Sequence, residues 1–292
     1  MNAFNIAVGI PTVGRATVIA QTLAQLGKQV RAPEKVIVCG TKSADVEGAG
    51  AAWPGSLVLL ASAGLPRQRN VVIANAVEAD ILVFFDDDFL PAADYLAAVE
   101  SHMAAFPRTV VATGTVVADG INGPGLSVPE GLAILAQDMT PTTGAKPTFA
   151  AYGCNMAVRL APLREHGLRF DERLPLYGWQ EDVDLSRQLA GFGDIMQLSG
   201  ARGVHLGTKL GRGSGMKLGY SQVANPIYLS SKRRGYPLGR AISHIASNMA
   251  MNAVRSVWSE PYVDRRGRLR GNARALCDLV AGRMLPERIL DL

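Results

Sequence analysis

Cysteine is scarce in this chain of 292 residues: Cys39, Cys154 and Cys277 are the only three. They are widely spaced and odd in number. That speaks against a disulfide framework or a zinc site and for reduced thiols in a cytosolic protein. No run of eighteen or more apolar residues occurs, so no membrane-spanning helix is expected. The opening MNAFNIAVGIPTVGR lacks a basic stretch leading into an apolar one and a small-residue cleavage site. It reads as a first strand rather than a signal peptide. No internal repeat is visible. What the chain does have is 48% hydrophobic and 19% charged residues, a globular composition able to bury a substantial core.

Charge is unevenly spread. The net +5 divides into +7 for residues 231–292, with twelve Lys or Arg against five Asp or Glu, and −2 for the rest. A basic tail on an acidic body points to an anionic partner or to a solvated basic surface. No aromatic residues interleave with its arginines, so nucleic acid is not the expected partner.

The first third alternates short apolar runs with helical patterns. FNIAVGI (4–10), KVIVC (35–39), LVLL (57–60) and ILVFF (81–85) read as buried strands; ATVIAQTLAQLG (16–27) and RQRNVVIANAV (67–77) read as helices. This implies an α/β fold with a mostly parallel sheet covered on both faces and ligands at the carboxyl ends of its strands. A helix over AADYLAAVESHMAAF and a strand over 109–118 follow. Residues 119–150 show little periodicity and read as a long irregular connection. A helix is expected from about Asp182, then a short strand before a Gly/Lys/Arg-rich stretch at 207–219. In the tail, Leu238, Ile242, Ile245, Met249, Ala253 and Val257 share one face of a helical pattern, opposite Arg240, His244, Asn248 and Arg255. A basic turn and a last short helix complete the chain.

The chemistry gathers after the strands. ILVFF runs into Asp86, Asp87 and Asp88, whose mutual repulsion favours an arrangement that brings positive charge. In an extended segment Asp86 and Asp88 would face one pocket and Asp87 the other side. Hard oxygen ligands suit Mg²⁺ or Mn²⁺, particularly with substrate phosphates completing the coordination. The competing reading is a solvated acidic loop capping the next helix. In GLPRQRN, Arg67 and Arg69 oppose the helix dipole, which suits a nearby anionic ligand; two exposed surface arginines are the alternative. Glu181, Asp182 and Asp184 at a helix start are ordinary dipole complements, or one of them is a general base. His205 becomes a plausible nitrogen ligand only beside a carboxylate-held metal. Lys209, Arg212 and Lys217 could close over phosphates or belong to a plain connector.

IPTVGR, GLPRQRN, FFDDDFLP, YGCNMAVR, WQEDVDL and VHLG, in this order from about Asn5 to Tyr228, resemble the inverting nucleotide-sugar glycosyltransferases of family 2, with the GT-A fold. The resemblance implies that Pro11, Thr12 and Arg15 line the nucleotide pocket and that Arg69 lies near ribose or base. Asp86 would touch the ribose, Asp87 would support the site, and Asp88 and His205 would hold Mn²⁺ or Mg²⁺. Asn155 would border donor sugar and acceptor, Arg212 would reach the phosphates, and Asp182 would be the general base. The uracil-reading Asp often found at the end of the second strand is missing: Cys39-Gly40-Thr41 stands there. Either Asp45 substitutes or backbone groups hold the base, so a UDP-sugar is expected while GDP and dTDP stay open.

The expected organisation is a catalytic domain, 1–228, and a helical basic extension, 229–292. Within the first, 1–118 forms the nucleotide-binding half and 119–228 the acceptor side, including the basic loop 207–219. The expected partner is a saccharide acceptor, lipid-linked through a polyprenyl diphosphate, in bacterial polysaccharide assembly. The site of action would be the cytoplasm, or the inner face of the plasma membrane through peripheral contact of 238–274; an oligomerisation or packing helix is the alternative there. Two other functions stay in view: a metal-dependent phosphoryl or nucleotidyl transferase, for which GIPTVGR is a poor phosphate loop, and a non-catalytic nucleotide-sugar-binding scaffold.

Overall fold

The computed structural model describes residues 4–209, 213–258 and 260–292, so Arg212 lies outside the described residues. The chain divides into two compact units. The first comprises Met1–Ala63, Arg67–Arg169 and Leu189–Gly211; the second comprises Gly64–Pro66, Phe170–Gln188 and Arg212–Leu292.

The first unit opens as expected. Strand β1 (Ile6–Pro11) leads to α1 (Ala16–Leu26), β2 (Lys35–Gly40), a single-turn α2 (Ala49–Ala52), β3 (Leu57–Leu60), α3 (Leu65–Asn75) and β4 (Ile81–Phe85). These four strands pair in parallel in the order β3-β2-β1-β4, and β1 and β4 are buried along their whole length. Such strands are covered on both faces, which is why their sequences run apolar rather than alternating. Beyond them come β5 (Phe89–Pro91), α4 (Tyr95–Ala105), β6 (Thr109–Asp119), α5 (Val128–Gln137), β7 (Ala145–Pro147), β8 (Asn155–Arg159), α6 (Leu160–His166) and, after α7 (Glu181–Leu189) of the second unit, β9 (Asp194–His205). Strand β8 inserts antiparallel between β4 and β6, β6 pairs in parallel with β9, and β5 and β7 run antiparallel to β9. The result is a mixed, mostly parallel sheet flanked by helices.

Two expectations fail here. Residues 119–150 are not one irregular connection, because they contain α5 and β7. Ser127 and Glu130 form a capping box in SVPE, with the Ser127 amide donating to Glu130 Oε2 at 2.7 Å. Leu126, Val128, Leu132 and Leu135 then pack against Leu90, Val204 and Leu206. The short strand expected at Val204 is the end of the 12-residue β9, whose polar and small residues pair with β6 rather than advertise a strand.

The second unit is helical. After α7 it holds α8 (Gly215–Ser231), α9 (Leu238–Arg255) and α10 (Arg265–Val280). The Gly-rich stretch therefore becomes helix at Gly215, where the Ser214 hydroxyl accepts from the Met216 amide at 3.2 Å, and Lys217 is helical. Residues 265–280 are likewise one helix rather than a turn and a short helix. Asp264 caps it, accepting from the Gly267 amide at 2.7 Å. Helices α8 and α10 touch backbone to backbone: a Cβ on Gly219 would sit 2.0 Å from the Arg268 carbonyl oxygen, and one on Gly271 2.0 Å from that of Met216.

The stripe of α9 divides between the core and the surface. Of the six residues of the expected stripe, Leu238, Ile242, Ala253 and Val257 are exposed, while Ile245 and Met249 pack on the core. Asn248, His244 and the fully buried Asn252 also turn inward. Asn248 Oδ1 accepts from Gln222 Nε2 (2.9 Å), and Asn252 Nδ2 donates to Gln222 Oε1 (2.8 Å) and Asn272 Oδ1 (3.0 Å). Amide side chains that satisfy one another can be buried at little cost, and a hydrophobicity pattern does not register their pairing.

Candidate active site

The acidic triplet is held by the rings on either side of it. Phe85 and Phe89 stack at 5.2 Å between centroids, and Tyr95 meets both edge-on at 5.0 and 5.9 Å. Such pairs each contribute about 0.5–1.5 kcal/mol beyond their burial. The Phe89 amide donates to the Asp86 carbonyl at 3.1 Å, closing a turn over Asp87 and Asp88. The carboxylates diverge because of this turn, not through extended alternation as the sequence suggested.

Asp87 turns into the protein. Its Oδ2 accepts from the Thr12 hydroxyl at 2.6 Å and its Oδ1 from Arg15 Nη1 at 2.7 Å. Its own carbonyl accepts from the Thr22 hydroxyl at 2.6 Å. Burial pushes its carboxyl pKa up, against the pull of Arg15, and the Asp88 charge adds to the rise. Arg15 also reaches the Thr208 carbonyl (3.2 Å) and lies 3.6 Å from Asp88 Oδ2.

Asp86 and Asp88 face the same side, together with His205 from the end of β9. One ligand atom from each lies within 4.8 Å of the others. Arg69, fully buried, donates from Nη2 to Asp86 Oδ1 (3.1 Å) and to the Gly153 carbonyl (2.8 Å). Asp88 Oδ2 accepts from the Thr208 amide at 2.7 Å, while its Oδ1 is buried, has no hydrogen-bond partner among the described residues and stands 3.4 Å from His205 Nε2. Gly207 makes the return of that amide feasible: its φ is +64°, and a Cβ there would meet the Gly120 backbone at 2.3 Å. Burial works against the Asp88 charge, but His205, Arg15 and the Thr208 amide hold the carboxyl down at about 2.

His205 is ordered from behind. Its Nδ1 lies 2.9 Å from Asp119 Oδ1, and Asp119 Oδ2 accepts from the Tyr152 hydroxyl at 3.0 Å. Burial alone would lower the imidazole, yet Asp119 and Asp88 raise it to about 10. Two hard carboxylate oxygens and one imidazole nitrogen, one oxygen buried without a partner, fit a divalent cation of the Mn²⁺ or Mg²⁺ type. A carboxylate behind the far nitrogen of a ligating histidine is the usual outer support of such a site.

The remaining expected residues are placed as follows. Pro11 ends β1, and Thr12, next to it, is buried and tied to Asp87. Asn155 pairs with Phe85 in register and is fully buried; its Oδ1 accepts from the Thr113 hydroxyl (2.6 Å), and its Nδ2 has no partner among the described residues. Asp45 is no open base reader: it is buried and accepts from the Gly14 amide (2.9 Å), the Thr41 amide (2.9 Å) and the Thr41 hydroxyl (2.6 Å). Arg67 is exposed, as in the alternative reading for that residue.

Asp182 belongs to the second unit, in the first turn of α7. The loop before it is strained: Leu176, Gly178 and Gln180 have φ of +58°, +67° and +70°, and two of them carry side chains. The Asn225 side chain holds the Trp179 carbonyl at 2.8 Å, and Gln180 contacts His244. Of the three acids there, Asp184 is bound by Lys232 at 2.6 Å and serves structure. Asp182 is half-buried, and its Oδ1 accepts from the Val183 amide at 2.8 Å.

Sequence reasoning missed Asp119, Tyr152, Thr208 and Gln68. Gln68 Nε2 bridges the Thr12 and Cys39 carbonyls at 3.0 and 2.7 Å, fastening the ends of β1 and β2. For Asp119 a signal existed: like Asp86, it is an acid that ends an apolar strand.

Neither a protein-family model nor a curated protein matches the chain. Solved structures do. S. aureus TarS residues 1–349 in complex with UDP-GlcNAc is 17% identical, with a TM-score of 0.60 over 98% of this chain and 82% of that one. The mannosyltransferase PcManGT from Pyrobaculum calidifontis, in complex with GDP-Man and Mn²⁺, is 16% identical, with a TM-score of 0.56 over 99% and 86%. GalNAc-T7 with UDP, GalNAc and Mn²⁺ is 14% identical, with a TM-score of 0.56 over 89% of this chain and 59% of that one. At such identities the likeness concerns the fold, and that fold is the GT-A fold of nucleotide-sugar glycosyltransferases.

Proposed function

We propose that the chain is an inverting, metal-dependent hexosyltransferase of the family 2 type. It would move a sugar from a nucleoside diphosphate sugar, UDP-linked in first place, to a hydroxyl of a lipid-linked saccharide in polysaccharide assembly. The observation that carries this reading is the Asp86–Asp88–His205 group, in which a buried Asp88 oxygen makes no hydrogen bond among the described residues, at the carboxyl end of a GT-A sheet. The Mn²⁺ and the UDP- or GDP-sugars named with the similar structures support it.

Asp86, Asp88 and His205 would hold the cation, which when bound supplies positive charge for the diphosphate. This gives Asp86 a share in the metal besides its contact with ribose. Asp87 acts indirectly, fixing Thr12 and Arg15 at the nucleotide side. Arg69 orients Asp86, and the Lys209–Arg212 segment brings cations to the phosphates. Asp182 takes the proton of the acceptor hydroxyl as its oxygen bonds to the anomeric carbon. The bond from that carbon to the diphosphate breaks on the opposite face, and the nucleoside diphosphate leaves. One displacement inverts the centre.

Two measurements test the reading. Thermal shift with UDP, GDP and dTDP, each with and without Mn²⁺, should give stabilisation by one nucleotide that needs the metal. No response to any nucleotide overturns the site. Asp182→Asn should then lower transfer by about 10²–10⁴-fold while leaving metal-dependent nucleotide binding intact; near-normal turnover would remove Asp182 from the mechanism.

A further inference from the structure

Helix α9 leaves more large apolar side chains outside than it packs inside. Its inward face carries Asn248 and Asn252 beside Ile245 and Met249, while its outward face, and the residues just after it, expose large apolar side chains. Leu238 is 55% exposed, Ile242 56%, Met251 45%, Val254 59%, Val257 70% and Trp258 69%. Exposed Ala246 and Ala250 fill the intervals, so no charged side chain interrupts the stripe from Ile242 to Val254. A solvated helix of this length gains nothing from such a face.

The surrounding charge indicates what covers it. Between Asp194 and Glu260 the sequence contains no Asp or Glu. Exposed Arg233, Arg234 and Arg240 stand at the N-terminal end of the stripe. At the C-terminal end, exposed Arg266 donates to the Ser256 carbonyl at 3.3 Å and so borders the last turn of α9. Trp258 closes the stripe, and an indole suits the boundary between an apolar layer and water. A second copy of the helix would bring these arginines against like charges with no acid on α9 to offset them. An anionic bilayer offers the opposite charge together with an apolar layer.

We infer that the outward face of α9 lies on an anionic membrane surface, with Ile242, Val254, Val257 and Trp258 entering the headgroup boundary and the flanking arginines meeting lipid phosphates. Of the nearby arginines on α10, Arg265 does not belong to this surface, because it is buried against Glu260 and Asn252. The inference is independent of the proposed sugar transfer.

Flotation of the full chain with phosphatidylglycerol-containing vesicles and with pure phosphatidylcholine vesicles tests it. The protein should float with the anionic vesicles only, less so as salt is raised. The double variant Ile242→Asp with Val254→Asp, both on exposed positions, should bind about tenfold more weakly or worse, with an unchanged circular dichroism spectrum. Arg233→Glu with Arg234→Glu should weaken flotation as well. Metal-dependent nucleotide stabilisation should be the same in all three proteins, which separates this result from the fate of the donor site. Absence of flotation, equal flotation with neutral vesicles, or wild-type flotation of the aspartate variant would overturn the inference. So would a wild-type dimer, seen by light scattering, that the aspartate variant turns into a monomer without altered flotation; that outcome would assign the face to a second copy.

Discussion

Asp88 in the first unit and Asp278 in the second are both buried carboxylates, at 2% and 0% exposure, and they are satisfied in opposite ways. Asp278 is saturated: Arg283 donates to Oδ1 at 2.8 Å, Arg288 and the Tyr220 hydroxyl donate to Oδ2 at 2.9 and 3.1 Å, and Arg274 lies 3.7 Å away. Asp88 has one oxygen on a backbone amide, while the other makes no hydrogen bond among the described residues and lies 3.4 Å from His205 Nε2, beside a second acid. Burying a charge is expensive without partners. A buried acid with every lone pair engaged therefore reads as structure, and one with an oxygen left open beside other ligands reads as a place for a cation.

The sharpest way to break this contrast is Asp88→Asn. It should abolish Mn²⁺-dependent nucleotide stabilisation and reduce transfer by more than the roughly 10–100-fold that outer partners of a metal site typically cost. A metal-dependent thermal shift retained in that variant would erase the distinction. Asp119→Asn comes next, because it removes the anion behind His205 Nδ1 but no ligand. We expect Mn²⁺ affinity to fall by about 10–100-fold, measured by titrating the metal at fixed nucleotide, with folding unaffected.

Asp278→Asn should leave donor binding alone and act on stability. The arginines and Tyr220 hold the Asp278 carboxyl down at about 2 even though burial pushes the other way. Its folded pKa thus lies below the unfolded value of about 3.9, so its contribution is present above pH 4 and is lost as pH falls from about 4 toward 2. Thermal unfolding across acidic pH should show that loss in the wild type and a flatter profile, from a lower starting point, in the variant. Parallel acid profiles would mean that Asp278 is not the group that matters.

Much of this was legible in the sequence, for physical reasons that can be traced. Strands β1 to β4 lie within two residues of their apolar runs; β1, β2 and β4 are buried and must be continuously hydrophobic, whereas β3, expected buried too, is an edge strand with Val58 and Leu60 exposed. Asp86, Asp88 and His205 could be suspected as ligands because acids and a histidine ending apolar strands are hard to explain otherwise. Asp119 and Tyr152 were not found, since their role exists only through contact with His205 across the sheet. Helix α5 was hidden in a stretch whose only local sign was the SVPE cap. The stripe of α9 was legible, but not its division: which of its residues turn inward depends on Asn248 and Asn252 finding Gln222 and Asn272.

By itself, the sequence determined the alternation of strand and helix, the sites where carboxylates leave the sheet, and the separation of an acidic body from a basic tail. Those follow from periodicity and charge, which are local properties. Tertiary structure alone decided that Asp87 turns inward to Thr12 and Arg15, that Asp88 keeps one oxygen open, and that α9 hides its amides and shows most of its large apolar residues. Each depends on which polar group finds a partner in space, and hydrogen bonds between distant residues leave no period in the chain.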